Sequence, residues 1–222
     1  MLRLKIILAA LFFLAPFCFA QNVSSGAAAA EDQLSAVLNE MEAADRGINT
    51  LELNFTQVTT FLETGEKQNS QGYMAFMKPS AIFIDIKKPQ EQKIYIDGNK
   101  MTVWTIKTKQ AVITNTDDNF MRDFSPTTFI NFGGNWTKLK KTHNIRLDSQ
   151  TASVYILSLW PKKQRTWTVK IQISKQTLNP IKLTLTTKAT TVDIVLSDYK
   201  LNQTLDKQMF RLPQNIETIK LN

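Results

Sequence analysis

The chain has 222 residues, 43% hydrophobic and 21% charged, with one cysteine, one histidine and a net charge of +8. So little cysteine and histidine leaves no basis for a disulfide framework or a zinc-cysteine site, and thiol catalysis goes too if Cys18 is cleaved away. The length suits a single β-rich domain.

The first segment has the three parts of a secretory signal. Arg3 and Lys5 supply the positive start, Ile6 to Phe17 is an apolar run interrupted only at Pro16, and Cys18 and Ala20 are small residues before a cut at Gln21. A membrane anchor needs about 20 apolar residues, more than this run offers. Residues 1–20 are therefore read as a cleaved signal peptide, which places the working protein outside the cytoplasm. Lipidation at Cys18 is disfavoured by the bulky Phe17 before it. Removing 20 of 222 residues leaves 202, and losing Arg3 and Lys5 lowers 27 basic residues to 25 against 19 acids, so +8 becomes +6. The remaining basic groups include Lys87-Lys88, Lys138 with Lys140-Lys141, and Lys162-Lys163 with Arg165. They suit a solubilising surface, or contact with an anionic membrane or acidic partner face.

Gln21 to Ala30 is small, polar and alanine-rich, and is expected to be a flexible leader before a single domain over residues 31–222. Glu31 to Arg46 is the clearest amphipathic helix, with Leu34, Val37, Leu38, Met41 and Ile48 near helical spacing. Glu31 and Asp32 favour its start and Gly47 its stop. From Leu51 the period becomes two: Leu51, Leu53 and Phe55 alternate with Glu52 and Asn54. The cleanest strand is 166–173, where Trp167, Val169, Ile171 and Ile173 share a face. Ile181, Leu183 and Leu185 repeat the pattern. Such alternation predicts an antiparallel sheet with one wet face.

Turn-like breaks fall at Thr64-Gly65, Lys88-Pro89, Asp97-Gly98-Asn99, Lys107-Thr108-Lys109, Asp148-Ser149-Gln150, Pro161-Lys162-Lys163 and Asn179-Pro180. Asp97-Gly98 is the strongest hairpin signal. About eleven strands are expected between residues 51 and 200, in a meander. Residues 117–135 interrupt it with Phe120, Met121, Phe124, Phe129, Ile130 and Phe132, without strand alternation; Pro126 would open a short helix. Two short helices against the sheet are expected there. A last, weak strand is expected near Ile216–Lys220.

Catalytic patterns are sparse. His143 is a lone histidine beside basic residues, with no serine and acid placed near it. Asp117-Asp118 reads as a helix start, and Gly133-Gly134 lacks the rest of a phosphate loop. Asp85 and Asp97 both lie at strands or strand ends, but nothing in the sequence sets them face to face as paired carboxylates, so a hydrolase is unmotivated. No catalytic, metal or cofactor site is expected. The apolar faces allow two architectures that composition does not separate: an ordinary helix-on-sheet core, or a curved sheet with an apolar cavity under helices.

Phe55-Thr56-Gln57 follows the first helix. Gln71-Gly72-Tyr73 leads through Lys78-Pro79 and Lys88-Pro89 to Ile94-Tyr95-Ile96-Asp97-Gly98, and Phe210-Arg211-Leu212-Pro213 closes the chain. This order and spacing resembles the periplasmic outer-membrane lipoprotein carrier family (the LolA type) over most of the mature chain. The resemblance implies a curved antiparallel half-barrel of about eleven strands covered by a helical lid. It implies a periplasmic, monomeric, non-enzymatic carrier of lipoprotein acyl chains. Its partners would be an inner-membrane lipoprotein-release transporter and an outer-membrane lipoprotein receptor, with no nucleic acid. Lys78 stands where the family has an arginine that holds the lid closed, and lysine is a point donor rather than a planar fork. Thr102 stands where the family usually has tryptophan, with Trp104 two residues on and on the same face as Thr102. Ile82, Ile84, Ile94 and Trp104 would line the cavity, and Phe120, Phe124, Phe129 and Ile130 would belong to the lid. Plain core packing is the alternative for each. Alternatives to lipoprotein carriage are a free-lipid or glycolipid binder or envelope-stress sensor of the same fold, an envelope-polymer hydrolase, and a passive binding module with a solid core.

Overall fold

The structure is a computed structural model that describes residues 23–115, 136–163 and 165–220. Residues 1–20, expected to be a signal peptide, and the expected lid residues Phe120, Phe124, Phe129 and Ile130 lie outside the described residues.

The chain opens with α1 (Val23–Arg46). This helix begins eight residues before the expected start at Glu31, so most of the expected leader is helical rather than flexible. The run Ala27–Ala30 is the reason: alanine has the highest intrinsic helix propensity and joins smoothly to the amphipathic part. Leu34, Val37, Leu38 and Met41 are each at most 5% exposed and form one buried stripe, as their spacing requires.

Eleven strands then follow between residues 50 and 201, in agreement with the alternation. They are β1 (Thr50–Phe61), β2 (Lys67–Met77), β3 (Ala81–Lys88), β4 (Gln92–Asp97), β5 (Lys100–Thr105), β6 (Gln110–Asn115), β7 (His143–Gln150), β8 (Val154–Pro161), β9 (Trp167–Ser174), β10 (Pro180–Thr187) and β11 (Thr190–Leu201). A short helix, α2 (Trp136–Thr142), precedes β7. A 3-10 turn (Lys207–Phe210) and β12 (Glu217–Lys220) finish the chain.

All twelve described strands form one sheet in the order β12-β6-β5-β4-β3-β2-β1-β11-β10-β9-β8-β7. Every neighbour is antiparallel except β12, which pairs β6 in parallel. The first and last long strands, β1 and β11, meet in the middle, so two hairpin meanders run outward from a shared seam. As a result β6 and β7, consecutive among the described strands, lie at opposite sides of the sheet.

Turn chemistry accounts for most connections. Gly98 has φ 59° in the two-residue β4–β5 turn, the left-handed conformation glycine takes without steric cost. The break expected at Asp148-Ser149-Gln150 is instead a bulge inside β7, between Leu147 and Ser149. Polar residues there suggested a turn, but a bulge accommodates an extra residue without ending the strand. The chain actually turns at Thr151–Ser153.

Two apolar clusters sit on opposite faces of the sheet. The larger joins α1 to inward residues of both meanders, including Leu157, Leu159, Trp167, Val169, Ile171 and Ile173, all at most 2% exposed. The smaller lies on the outer face. There Phe210, with Leu205, Met209 and Leu212, covers Ala75, Phe83 and Tyr95. Asp206 accepts a hydrogen bond from the Gln208 amide at 2.8 Å and so fixes the turn that delivers Phe210. The closing Phe210-Arg211-Leu212-Pro213 segment is thus a clasp on the back of the sheet.

Candidate functional site

Strand pairing aligns the inner face in rows. One row runs Leu51, Phe76, Ile82, Ile96, Met101 across β1 to β5. The next runs Leu53, Met74, Ile84, Ile94, Val103, Val112 across β1 to β6. In the second row burial falls away from the seam. Leu53, Met74 and Ile84 are 1%, 3% and 5% exposed, whereas Ile94, Val103 and Val112 are only half-buried. Ile86 and Phe55 are also partly buried against the same cluster. The β3–β6 wing therefore presents aliphatic side chains that the described residues do not fully cover. Completing their burial would return about 25 cal/mol for each Å² removed from water.

Ile82, Ile84 and Ile94 fall on this face. Trp104 does not. It packs in the outer cluster with Phe83, Tyr95 and Phe210. Its cross-strand partner is Lys93, whose ammonium lies 5.7 Å from the indole centre. The physical reason is register. A two-residue turn at Gly98-Asn99 pairs Ile94 with Val103 and therefore Lys93 with Trp104, and side chains one position apart point to opposite faces. The strong hairpin signal at Asp97-Gly98 already contained that information.

Phe55 and Gly72 explain two of the sequence marks together. They sit directly opposite in the β1–β2 ladder. A Cβ at Gly72 would lie 2.3 Å from the Asp85 carbonyl oxygen and 2.8 Å from Phe55 Cζ. The aromatic ring fills the space the glycine leaves, a pairing that compensates glycine's weakness in a strand.

The C-terminal end of α1 is where the helix is tied to the sheet. Lys78 Nζ donates to the Arg46 carbonyl at 2.9 Å, and the Lys78 amide donates to the Asn49 carbonyl at 2.9 Å. The final carbonyls of a helix have no partner within it, and a cation there also meets the negative end of the helix dipole. Lys78 thus binds backbone on both sides of the turn after α1: its ammonium takes the last residue of the helix and its amide takes Asn49. Asn202, with φ 56°, adds two bonds to the same turn: its Oδ1 accepts from the Asn49 amide at 2.7 Å and its Nδ2 donates to the Gly47 carbonyl at 3.0 Å.

Beside this lock lies Asp45. Burial pushes its carboxyl up to about 6, against the opposing pull of the Trp136 indole and the Lys78 ammonium. Burial and the charge of Asp45 also push the Tyr199 phenol well above its usual range. Trp136, 3% exposed, opens α2 and borders a small crevice of about 50 Å³ with Ser35, Leu38, Asn39 and Glu42 of α1. Lys140 of α2 reaches Glu31 at 3.1 Å. The helix α1 is thereby held at its C-terminal end by the β2–β3 turn and, at Glu31 in its first half, by α2. Asp45, Trp136 and Asn202 carry no sequence signature. Each matters only through neighbours distant in the chain.

The remaining features are elsewhere. A cleft of about 560 Å³ sits between the β1–β2 and β10–β11 turns, lined by Phe61, Leu62, Glu63 and Lys188; Phe61 is eight residues along β1 from Leu53. Asp85 and Asp97 do not face each other. Asp85 pairs across to Lys93, four residues before Asp97 on β4, and Asp85 forms an ion pair with Lys87 at 2.7 Å. Among the described residues no group of three His, Cys, Asp or Glu side chains is placed to hold a metal ion, and no helix is long and apolar enough to cross a membrane.

A single open antiparallel sheet, with a helix against an apolar inner face and a C-terminal clasp behind, defines a half-barrel protein of the lipoprotein-carrier type. The profile of the family described as "Outer membrane lipoprotein carrier protein LolA" matches residues 46–213, and the chain belongs to that family. It is 25% identical over 175 residues to an outer-membrane lipoprotein carrier protein of Pseudomonas putida (strain GB-1), covering 77% of this chain and 82% of that one. A carrier protein of the same description from Pseudomonas entomophila (strain L48) is 25% identical over 174 residues, 77% of this chain and 81% of that one. In fold, the chain is similar to the crystal structure of an uncharacterized conserved protein from Thermus thermophilus. That match has a TM-score of 0.57 at 10% identity, over 85% of this chain and 99% of the other.

Proposed function

We propose that the protein is a periplasmic carrier that shields lipoprotein acyl chains on the inner face of its sheet. It would take them from an inner-membrane release transporter and deliver them to an outer-membrane receptor. The observation that carries this reading is the row Ile84, Ile94, Val103, Val112, whose burial fades toward the β3–β6 wing, in a chain of the lipoprotein-carrier family.

The energetics call for moderation. Burying an acyl chain of about fifteen methylenes is worth roughly 12 kcal/mol at 0.8 per methylene. A carrier that kept all of it would not release cargo. Part must be offset by contacts that cargo displaces. Residues 116–135 connect β6 to α2, that is, one side of the sheet to the other. In this reading they supply the lid, with Phe120, Phe124, Phe129 and Ile130 as the displaced apolar groups. Lys78, by holding the end of α1, sets the frame against which the lid closes.

The test is extraction of the protein purified from the periplasm, with mass spectrometry of what it holds. A lipidated protein or peptide supports the proposal. Free lipid or glycolipid alone would overturn lipoprotein carriage in favour of a lipid binder. Val103→Glu is expected to abolish cargo recovery while the folded yield persists; unchanged recovery would exclude the β3–β6 wing as the cargo surface.

A further inference from the structure

Charge is distributed very unevenly along this chain. Residues 138–188, which span most of α2 and all of β7 to β10, hold 11 basic residues and a single acid, Asp148. The rest of the mature chain, residues 21–137 and 189–222, holds 14 basic and 18 acidic residues. One wing of the sheet is thus near +10 while the remainder is near −4.

The fold concentrates this charge further. Inward positions of β7 to β9 are apolar and packed, so the charged residues of these strands are left to the outer face and the turns. Arg146, Ser158 and Lys170 form one cross-strand row. The β8–β9 turn carries exposed Lys162 and Lys163, and the Lys162 amide donates to the Thr142 carbonyl at 3.0 Å. That bond sets the turn beside the end of α2 and its exposed Lys141. Half-buried Trp160 lies within the patch, with the Arg165 guanidinium 4.9 Å and that of Arg146 5.6 Å from its ring centre. Asp148 accepts from Arg146 at 2.7 Å and from the Ser158 hydroxyl, so the one acid is already engaged.

We propose that this basic outer corner, built from α2, the β8–β9 turn and the outer faces of β7 to β9, docks the protein on an anionic phospholipid bilayer surface. The charges are exposed and spread over a sheet face and turns. Mobile headgroups rearrange to meet scattered cations, whereas an acidic protein face must match them position by position. An indole among guanidiniums suits the headgroup layer, where aromatic rings with a polar edge accumulate. The outer faces of β7 to β9 lie away from the inner apolar face, and α2, whose Trp136 and Leu139 belong to the inner cluster, joins the corner at the β7 edge of the sheet. The inference therefore stands on charge placement and does not depend on what that face carries.

The experiment is sedimentation of the mature protein with lipid vesicles. One set is phosphatidylcholine alone; the other contains roughly one third phosphatidylglycerol, whose charge attracts basic segments near the surface. Binding is expected only to the anionic vesicles at about 0.1 M salt and is expected to vanish at about 1 M, where the screening length drops to about 3 Å. The triple variant K162Q/K163Q/R165Q is expected to lose about tenfold or more in partitioning. The triple variant K88Q/K100Q/K107Q removes the same charge from the other wing and is expected to change it by less than about twofold, since only charges near the surface contribute. Equal binding to neutral vesicles, or equal loss in both variants, would overturn the proposal. Loss of vesicle binding with acyl cargo still recovered would separate this failure from a failure of the carrier reading.

Discussion

The two wings of the sheet are made by the same device, apolar residues alternating along antiparallel strands, yet they end in different states. On the β8–β10 wing the inward residues Leu157, Val169, Ile171, Ile173 and Leu183 are at most 3% exposed. On the β3–β6 wing the inward Ile82, Ile84, Ile96 and Met101 are 5–9% exposed, but the inward Ile86, Ile94, Val103 and Val112 are only half-buried. The α1 stripe belongs to a cluster shared by both wings, and Lys78 of the β2–β3 turn holds the helix's final carbonyl at Arg46. One wing is a finished core that holds shape. The other keeps apolar surface in reserve, which the proposed carriage of acyl chains would use.

The widest test of that contrast is truncation in each wing. Trp167→Ala is expected to destabilise by about 3–5 kcal/mol, the usual cost of removing a large buried aromatic. Ile94→Ala is expected to cost well under about 2 kcal/mol, because a half-buried side chain leaves little cavity, but to lower acyl-chain recovery. Denaturant unfolding checks the first pair of values and lipid extraction the second. Equal destabilisation at both sites would erase the distinction between a finished wing and a reserve wing.

Acid sharpens the picture at the C-terminal end of α1, where Asp45 lies. The Asp45 carboxyl titrates at about 6 in the folded chain, above its ordinary 3.8. A raised carboxylate pKa means that the folded state binds the proton more tightly than the unfolded state. This group's destabilising charge is therefore present above pH 6 and relieved as pH falls from about 6 toward 4. Asp45→Asn is expected to stabilise by on the order of 1–2 kcal/mol at pH 7, discounted for partial exposure, with the gain shrinking to near zero by about pH 4. Thermal melts of both proteins across that range provide the check. A constant difference would show that Asp45 does not titrate there.

Lys78→Met is expected to have the smallest effect on stability, about 0.5–1 kcal/mol, for the loss of a cation at a helix C-terminus. Its effect on cargo release is expected to be larger than its effect on melting temperature. If release from loaded protein to acceptor vesicles is unchanged, Lys78 is a helix fastener alone.

Much of this architecture was legible in the alternation of residues. The strands Trp167–Ser174 and Pro180–Thr187, the Gly98 turn and the α1 stripe all follow from local period and turn chemistry, which depend on neighbours in the chain. The errors have equally local causes. Alanines 27–30 looked like a linker because they lack an apolar stripe, yet alanine extends a helix without one. Ser149 and Gln150 looked like a turn because polar residues occupy both turns and bulges. Trp104 was misplaced because an indole suits either face, and only the register with Lys93 assigns it.

Some properties needed nothing beyond the order of residues. Period two commits segments to strands whose faces differ, one histidine and one cysteine leave little material for catalysis, and eleven basic residues within 51 positions make one wing cationic wherever it folds. Tertiary structure alone decided the rest. It chose which apolar faces share a cluster, because pairing β1 with β11 joins residues about 140 positions apart. It raised the Asp45 carboxyl by burying it beside Trp136. It also left Ile94 and Val103 half-covered, because their exposure depends on what packs over the inner face of the twelve described strands and not on their own strands.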